Sequence, residues 1–202
     1  LGAQAGLIAP DATTAAFLAE AGAPEVDMAP WFTDDGAELT RHRFDAATLE
    51  PHVAAPHSPA NSQGVSHYAD TPIDVAYIGA CTGAKLDDLR MAASVLKGRQ
   101  TAANVSLLLA PASLKDQETA REEGTLGILL DAGAKLLPNA CGVCAGYGGF
   151  RFGENAVVIS STARNSRGRM GAASSQVYLG SPYTVAASAV AGRICDPREF
   201  LA

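Results

Sequence analysis

Positive charge, long apolar runs, cysteine and aromatic residues are all scarce in this sequence, and each shortage narrows what the protein can be. Lys and Arg number 15 against 21 Asp and Glu, a formal net charge of −6. Such a chain has no long-range attraction for nucleic acid or anionic lipid, so a polyanionic partner is not expected. No apolar run approaches the ~20 residues of a membrane-spanning helix, and no basic-then-apolar leader opens the chain. A soluble, cytoplasmic protein without membrane contact is expected. Cysteine occurs four times in 202 residues, too sparsely to staple a secreted domain with disulfides. The opening, Leu1-Gly2-Ala3-Gln4-Ala5-Gly6-Leu7-Ile8-Ala9-Pro10, has no initiating methionine. The chain is therefore expected to be a fragment, a processed product or one piece of a split protein, with part of its function carried elsewhere.

What is present is small and apolar. Aromatic residues are only 6%, yet 48% of residues are hydrophobic and 20 are glycine, enough for a buried core in one or two domains. Asp11 is a predicted N-cap for a short helix through Glu20 that stops near Gly22 and Pro24. Between residues 23 and 61, Pro24, Pro30, Pro51, Pro56 and Pro59 interrupt every periodic pattern, while Trp31, Phe32, Phe44 and Leu49 offer apolar anchors. That stretch reads as an ordered connector wrapped over a domain. After Pro72, short apolar runs alternate with helical periodicity, the pattern of βα units on a mainly parallel sheet. Strands are predicted at 73–78, 104–110, 134–137, 156–160 and 177–179, and helices at 86–96, 115–123, 126–131 and 183–191, the last capped by Ser181 and started by Pro182. The expected fold class is α/β: a three-layer domain with a mainly parallel sheet, preceded by the proline-rich connector.

Three of the cysteines fall in two glycine-rich loops that follow predicted strands, Cys81 in Ile78-Gly79-Ala80-Cys81-Thr82-Gly83 and the pair in Asn139-Ala140-Cys141-Gly142-Val143-Cys144-Ala145-Gly146-Tyr147-Gly148-Gly149. In an open α/β sheet, ligands collect beyond the carboxyl ends of strands. A Cys-x-x-Cys pair is open to three readings: half a zinc site, a dithiol redox pair, or two ligands of a metal cluster. Zinc wants a fourth ligand, and His42, His52, His57 and His67 all lie in the first third without metal-like spacing. A dithiol needs no third cysteine. Three thiolates on an iron–sulfur cluster would leave one iron open as a Lewis acid for a hydroxyl and a carboxylate. Arg164, Arg167 and Arg169, after the strand at 156–160, offer guanidinium forks that match carboxylates, although a solvated basic loop has the same composition. The flanking glycines leave N–H groups free to hydrogen-bond sulfur, or simply make tight turns. Cys195 reads as an unliganded core thiol.

These motifs resemble the aconitase superfamily of iron–sulfur hydro-lyases, most closely the large subunits of 3-isopropylmalate dehydratases. The resemblance is carried by Tyr77-Ile78-Gly79-Ala80-Cys81-Thr82, by Pro138-Asn139-Ala140-Cys141-Gly142-Val143-Cys144 and by Ser161-Thr162-Ala163-Arg164-Asn165-Ser166-Arg167-Gly168-Arg169-Met170-Gly171, together with the opening Gly2 to Asp11 segment. It implies that Cys81, Cys141 and Cys144 hold a [4Fe-4S] cluster and that Arg164 and Arg169 bind substrate carboxylates. Many members of the family carry Asn at the positions of Gly83 and Ala163, and the role of Arg167 stays open. The implied organisation is residues 1–22 as the tail of a preceding domain, 23–61 as connector and 62–202 as the cluster-binding domain. The implied partners are a small hydroxy acid substrate, the remaining large-subunit domains and a small swivel-domain subunit. The catalytic base is expected outside this chain, which alone would be inactive. A non-catalytic cluster-binding or assembly module of a split enzyme is the alternative.

Overall fold

The computed structural model describes residues 5–23, 25–147 and 149–201. Three expectations lie outside them: the start of the family-like opening segment in residues 1–4, the stop at Pro24, and the contribution of Gly148 to the second cysteine loop. The chain divides into two compact units, Leu1–Thr48 and Leu49–Ala202.

In the first unit, α1 spans Ala12–Glu20. Asp11 caps it as expected, its Oδ1 accepting from Thr14 N at 3.0 Å. No residue of α1 is buried, and Trp31 at 70%, Phe44 at 68% and Phe32 are exposed as well. Backbone bonding in this unit is short-range, as in Trp31 N to Met28 O and Thr48 N to Asp45 O.

The second unit begins at Leu49, earlier than the expected boundary at 62, because two short strands missed in the sequence join its sheet. These are β1 (His52–Ala54) and β2 (Ser62–Gly64), an antiparallel pair. The expected βα pattern follows: β3 (Val75–Gly79), α2 (Leu86–Leu96), β4 (Ser106–Ala110), α3 (Leu114–Glu122), α4 (Thr125–Asp131) and β5 (Lys135–Leu136). A single helical turn, α5 (Gly142–Ala145), precedes β6 (Val157–Ser160), β7 (Gln176–Leu179) and α6 (Pro182–Ala191).

Among the described residues the sheet has seven strands in the order β2-β1-β7-β6-β3-β4-β5. From β7 to β5 all pairings are parallel; β1 runs against them, and β2, antiparallel to β1, runs in their direction again. Strand alternation sends Ala76, Ile78, Leu107, Leu109 and Ile159 into one apolar cluster with α2, α4 and α6. There α2 buries Leu89, Ala92, Ala93, Val95 and Leu96; each fully buried leucine contributes roughly 1.5–3 kcal/mol. Tyr77, Val158 and Val177 face the other way, into a smaller cluster closed by Val143 of α5 and by Phe152 and Met170 of the following loops. Helices, sheet and this thinner cover make three layers.

The topology places the site. The chain progresses from β3 through β4 to β5, then returns to lay β6 on the opposite side of β3. The strand order therefore reverses between β3 and β6, and at such a switch point the loops leaving the carboxyl ends separate and open a crevice.

Candidate metal centre

The first cysteine loop leaves β3 through Ala80, whose φ of 68° turns the chain sharply. Cys81 follows, exposed. The loop is held at its far end by α2, where Lys85 N donates to Asp88 Oδ2 at 3.0 Å and Leu86 N donates to Asp116 Oδ1 at 3.1 Å. The second loop leaves β5, where Leu137 N donates to Leu109 O at 2.7 Å. Asn139 Nδ2 then donates to Pro111 O at 3.0 Å and Ser113 O at 3.2 Å, tying this loop to the end of β4. Cys141 is the N-cap residue of α5 and Cys144 lies within it. Helical spacing of three puts both thiols on one side of the turn. Cys81 and Cys141 also line one depression of ≈200 Å³ with Ala80, Pro111, Ala112, Asn139 and Ala140.

The arginine loop reaches the same place from β6. Arg169 is half-buried, with Nη2 3.9 Å from Cys144 Sγ. Its Nε is buried with no hydrogen-bond partner among the described residues. Close approach depends on Gly146, which has φ 69°; a Cβ there would stand 2.9 Å from Arg169 O. Arg151 Nε closes the end of α5 by donating to Gly146 O at 3.0 Å. Arg164 and Arg167 point into solvent. Asn165, between them, is fully buried, and its Nδ2 donates to Ala55 O at 2.8 Å and Val177 O at 2.9 Å, fastening the loop to the β1 and β7 side.

Cys81, Cys141, Cys144 and Cys195 are all free thiols. Among the described residues no three His, Cys, Asp or Glu side chains converge closely enough to hold a single metal ion. His52 on β1 is separated from β3 by two intervening strands. Cys195 is in the core, as expected, with burial as the main cause pushing its thiol up to about 11 and the Glu199 carboxylate adding to it.

The sequence pattern of the aconitase family (aconitate hydratase) matches residues 1–192. The chain belongs to the aconitase family. It is 41% identical over 206 residues to the 3-isopropylmalate dehydratase large subunit of a Nitratiruptor species, covering 98% of this chain and 48% of that protein. It is 42% identical over 205 residues to 3-isopropylmalate dehydratase large subunit 1 of Pyrococcus furiosus, covering 99% and 47%. With large subunit 1 of Archaeoglobus fulgidus the identity is 38% over 203 residues, covering 99% and 48%. The chain spans about half the length of the curated relatives it matches.

Two residues of this aconitase-family chain matter to the site in ways that escaped sequence reasoning. Ser161 is buried at the end of β6; its Oγ accepts from Gly79 N at 3.1 Å and donates to Gly83 O at 2.7 Å. One hydroxyl thus joins the Cys81 loop to the start of the arginine loop. The approach is tight: a Cβ on Gly83 would stand 2.0 Å from Ser161 O, so any side chain here is excluded unless the loop shifts. The second is Tyr77, fully buried on β3, whose Oη has no partner among the described residues. Its pKa is raised mainly by burial, then by the charges of Cys144 and Cys141. Both open motifs quoted from the sequence, but the motifs did not show that Ser161 bonds to Gly79 and Gly83, far off in the chain, or that the Tyr77 hydroxyl is buried.

Proposed function

We propose that this chain is the cluster-bearing part of an iron–sulfur hydro-lyase in which Cys81, Cys141 and Cys144 hold a [4Fe-4S] cluster and Arg164 and Arg169 bind the carboxylates of a hydroxy di- or tricarboxylic acid. The observation that carries the reading is the gathering, at the carboxyl ends of β3, β5 and β6, of free thiols and a half-buried guanidinium 3.9 Å from Cys144 Sγ. The residues fit such a group. Two exposed thiols share one depression, and two buried donors on the Cys144 side, Tyr77 Oη and Arg169 Nε, have no acceptor among the described residues.

When bound, the cluster supplies an iron without a protein ligand, a Lewis acid for the substrate hydroxyl. Arg169, held by the Gly146 approach, would grip one carboxylate beside the cysteines, and Arg164, exposed, a second one that arrives from solvent. The net reaction is loss of the hydroxyl and of a proton from the adjacent carbon as water, then re-addition of water at the neighbouring carbon, as in isomerisation of 3-isopropylmalate. The proton needs a base, which we assign to the remaining large-subunit domains or to a small swivel-domain partner; this chain alone is then inactive, and the assembled enzyme works in the cytoplasm.

Anaerobic reconstitution with iron and sulfide tests the reading. The expected product is brown, with about four iron per chain, and Cys144→Ser loses most of that absorbance. A colourless chain that takes up only zinc refutes it. Addition of the complementary large-subunit segment and small subunit should then produce absorbance of the unsaturated acid; a loaded cluster without that signal supports the non-catalytic alternative.

A further inference from the structure

Tyr77 carries a polar atom that the fold buries and leaves unused. Strand alternation puts Tyr77 and Gly79 on the same face of β3, and the ring lies along the strand over the glycine. A Cβ on Gly79 would stand 2.1 Å from Tyr77 Cζ and 2.3 Å from Oη. Only a glycine there lets the phenol extend toward the cysteine end of the sheet. Tyr77 lines a cavity of ≈160 Å³ with Ala110, Leu137, Gly142, Val143 and Phe150, so α5, which carries Cys144, forms part of its wall. No side chain among these offers an acceptor. A buried phenol O–H without an acceptor is destabilising, so a group that accepts its hydrogen bond is expected in the cavity.

We propose that the Tyr77 hydroxyl donates a hydrogen bond to a sulfur of the cluster on its Cys141–Cys144 side, making Tyr77 a positioning residue that raises the cluster's reduction potential. The inference rests on the cluster reading given above. Hydrogen bonds to sulfur stabilise the more negative, reduced state of a cluster, so a donor shifts the potential upward and its removal shifts it downward. The competing role is structural: a cavity of this size admits a water, which would accept the hydrogen bond and leave the cluster untouched.

The experiment compares three chains loaded anaerobically with iron and sulfide: wild type, Tyr77→Phe, and a chain with 3-fluorotyrosine at position 77, whose more acidic hydroxyl donates more strongly. At equal iron content the midpoint potential is expected to rise in the order Tyr77→Phe, wild type, fluorotyrosine. The Fe–S stretching bands in resonance Raman spectra should shift in D2O for the two phenol-bearing chains, with part of that shift lost in Tyr77→Phe. Equal potentials at equal iron content overturn the proposal and leave the cluster reading standing. A wild-type chain that takes up neither iron nor sulfide overturns both. Should Tyr77→Phe fail to fold, wild type and the nearly isosteric fluorotyrosine chain still decide the matter, because a purely structural role moves neither potential.

Discussion

Replacing Ser161 by alanine removes one oxygen and disconnects two loops. Its Oγ accepts from Gly79 N at 3.1 Å and donates to Gly83 O at 2.7 Å, and Ser161 and both glycines are buried. Alanine leaves a main-chain donor and a main-chain acceptor without that partner; each buried group so stranded costs about 1–3 kcal/mol. Partial relaxation of the 80–84 loop offsets some of this, so the expected loss is about 2–4 kcal/mol. Against a total stability on the order of 5–15 kcal/mol for a domain, the loss is large. Urea unfolding should show a lower midpoint with an unchanged m value. Ser166→Ala, in the same segment but exposed, is the control and should stay within about 0.5 kcal/mol of wild type. Because the lost bonds position the loop that carries Cys81, Ser161→Ala should also load less iron. A midpoint shift no larger than that of the control would show that the hydroxyl does not join these loops, and the coupling of the Cys81 and arginine loops would have to be sought elsewhere.

Two further outcomes follow from the charged and thiol groups. Hydrogen bonding from Arg90 holds the Glu123 carboxyl down to about 2, against an ordinary 4.5. The stability this pair provides is complete above about 4.5, where the unfolded chain is already ionised, and disappears as pH falls through about 2. Thermal melts across that window should lose stability less steeply for Glu123→Gln than for wild type, with the difference shrinking in high salt because the pair is surface-exposed; parallel curves would count against the pairing. Alkylation mapped by mass spectrometry at pH 8 should label exposed Cys81 and Cys141 first, Cys144 more slowly and buried Cys195 only in denaturant. Labelling of Cys195 at the rate of Cys81 would contradict its place in the core.

The parallel part of the fold was legible because it is written locally. The residues of α2 repeat at helical spacing over Leu86, Leu89, Ala92, Ala93 and Leu96, and β3, β4 and β6 are unbroken apolar runs that only a sheet covered on both faces can bury. Strands β1 and β2 were not, since His52-Val53-Ala54 and Ser62-Gln63-Gly64 carry no alternation and stand among prolines. What makes them strands is pairing: with each other, and of Ala54 with Leu179 across most of the chain. Trp31 and Phe44 are apolar and yet exposed. Apolar character shows that a side chain gains by burial and says nothing of which surface buries it.

The same division runs through the site. Cys141 and Cys144 announce themselves by spacing, and the helical turn of α5 only sharpens what the spacing implies, bringing both thiols to one side. That Cys81 joins them depends on Ala80, Ser161 and the reversal of strand order between β3 and β6, none of which a motif encodes. Arg164 and Arg169 look equivalent in sequence. Yet the fold presses Arg169 against α5 through Gly146, while Asn165 spends its amide on Ala55 and Val177 and leaves Arg164 outward. The two arginines therefore stand in different surroundings: Arg169 is half-buried beside Cys144, and Arg164 is exposed. If both bind carboxylate, a substrate must present one acid group at the depth of the cysteines and another at the rim. A hydroxy diacid meets that requirement and a hydroxy monoacid does not.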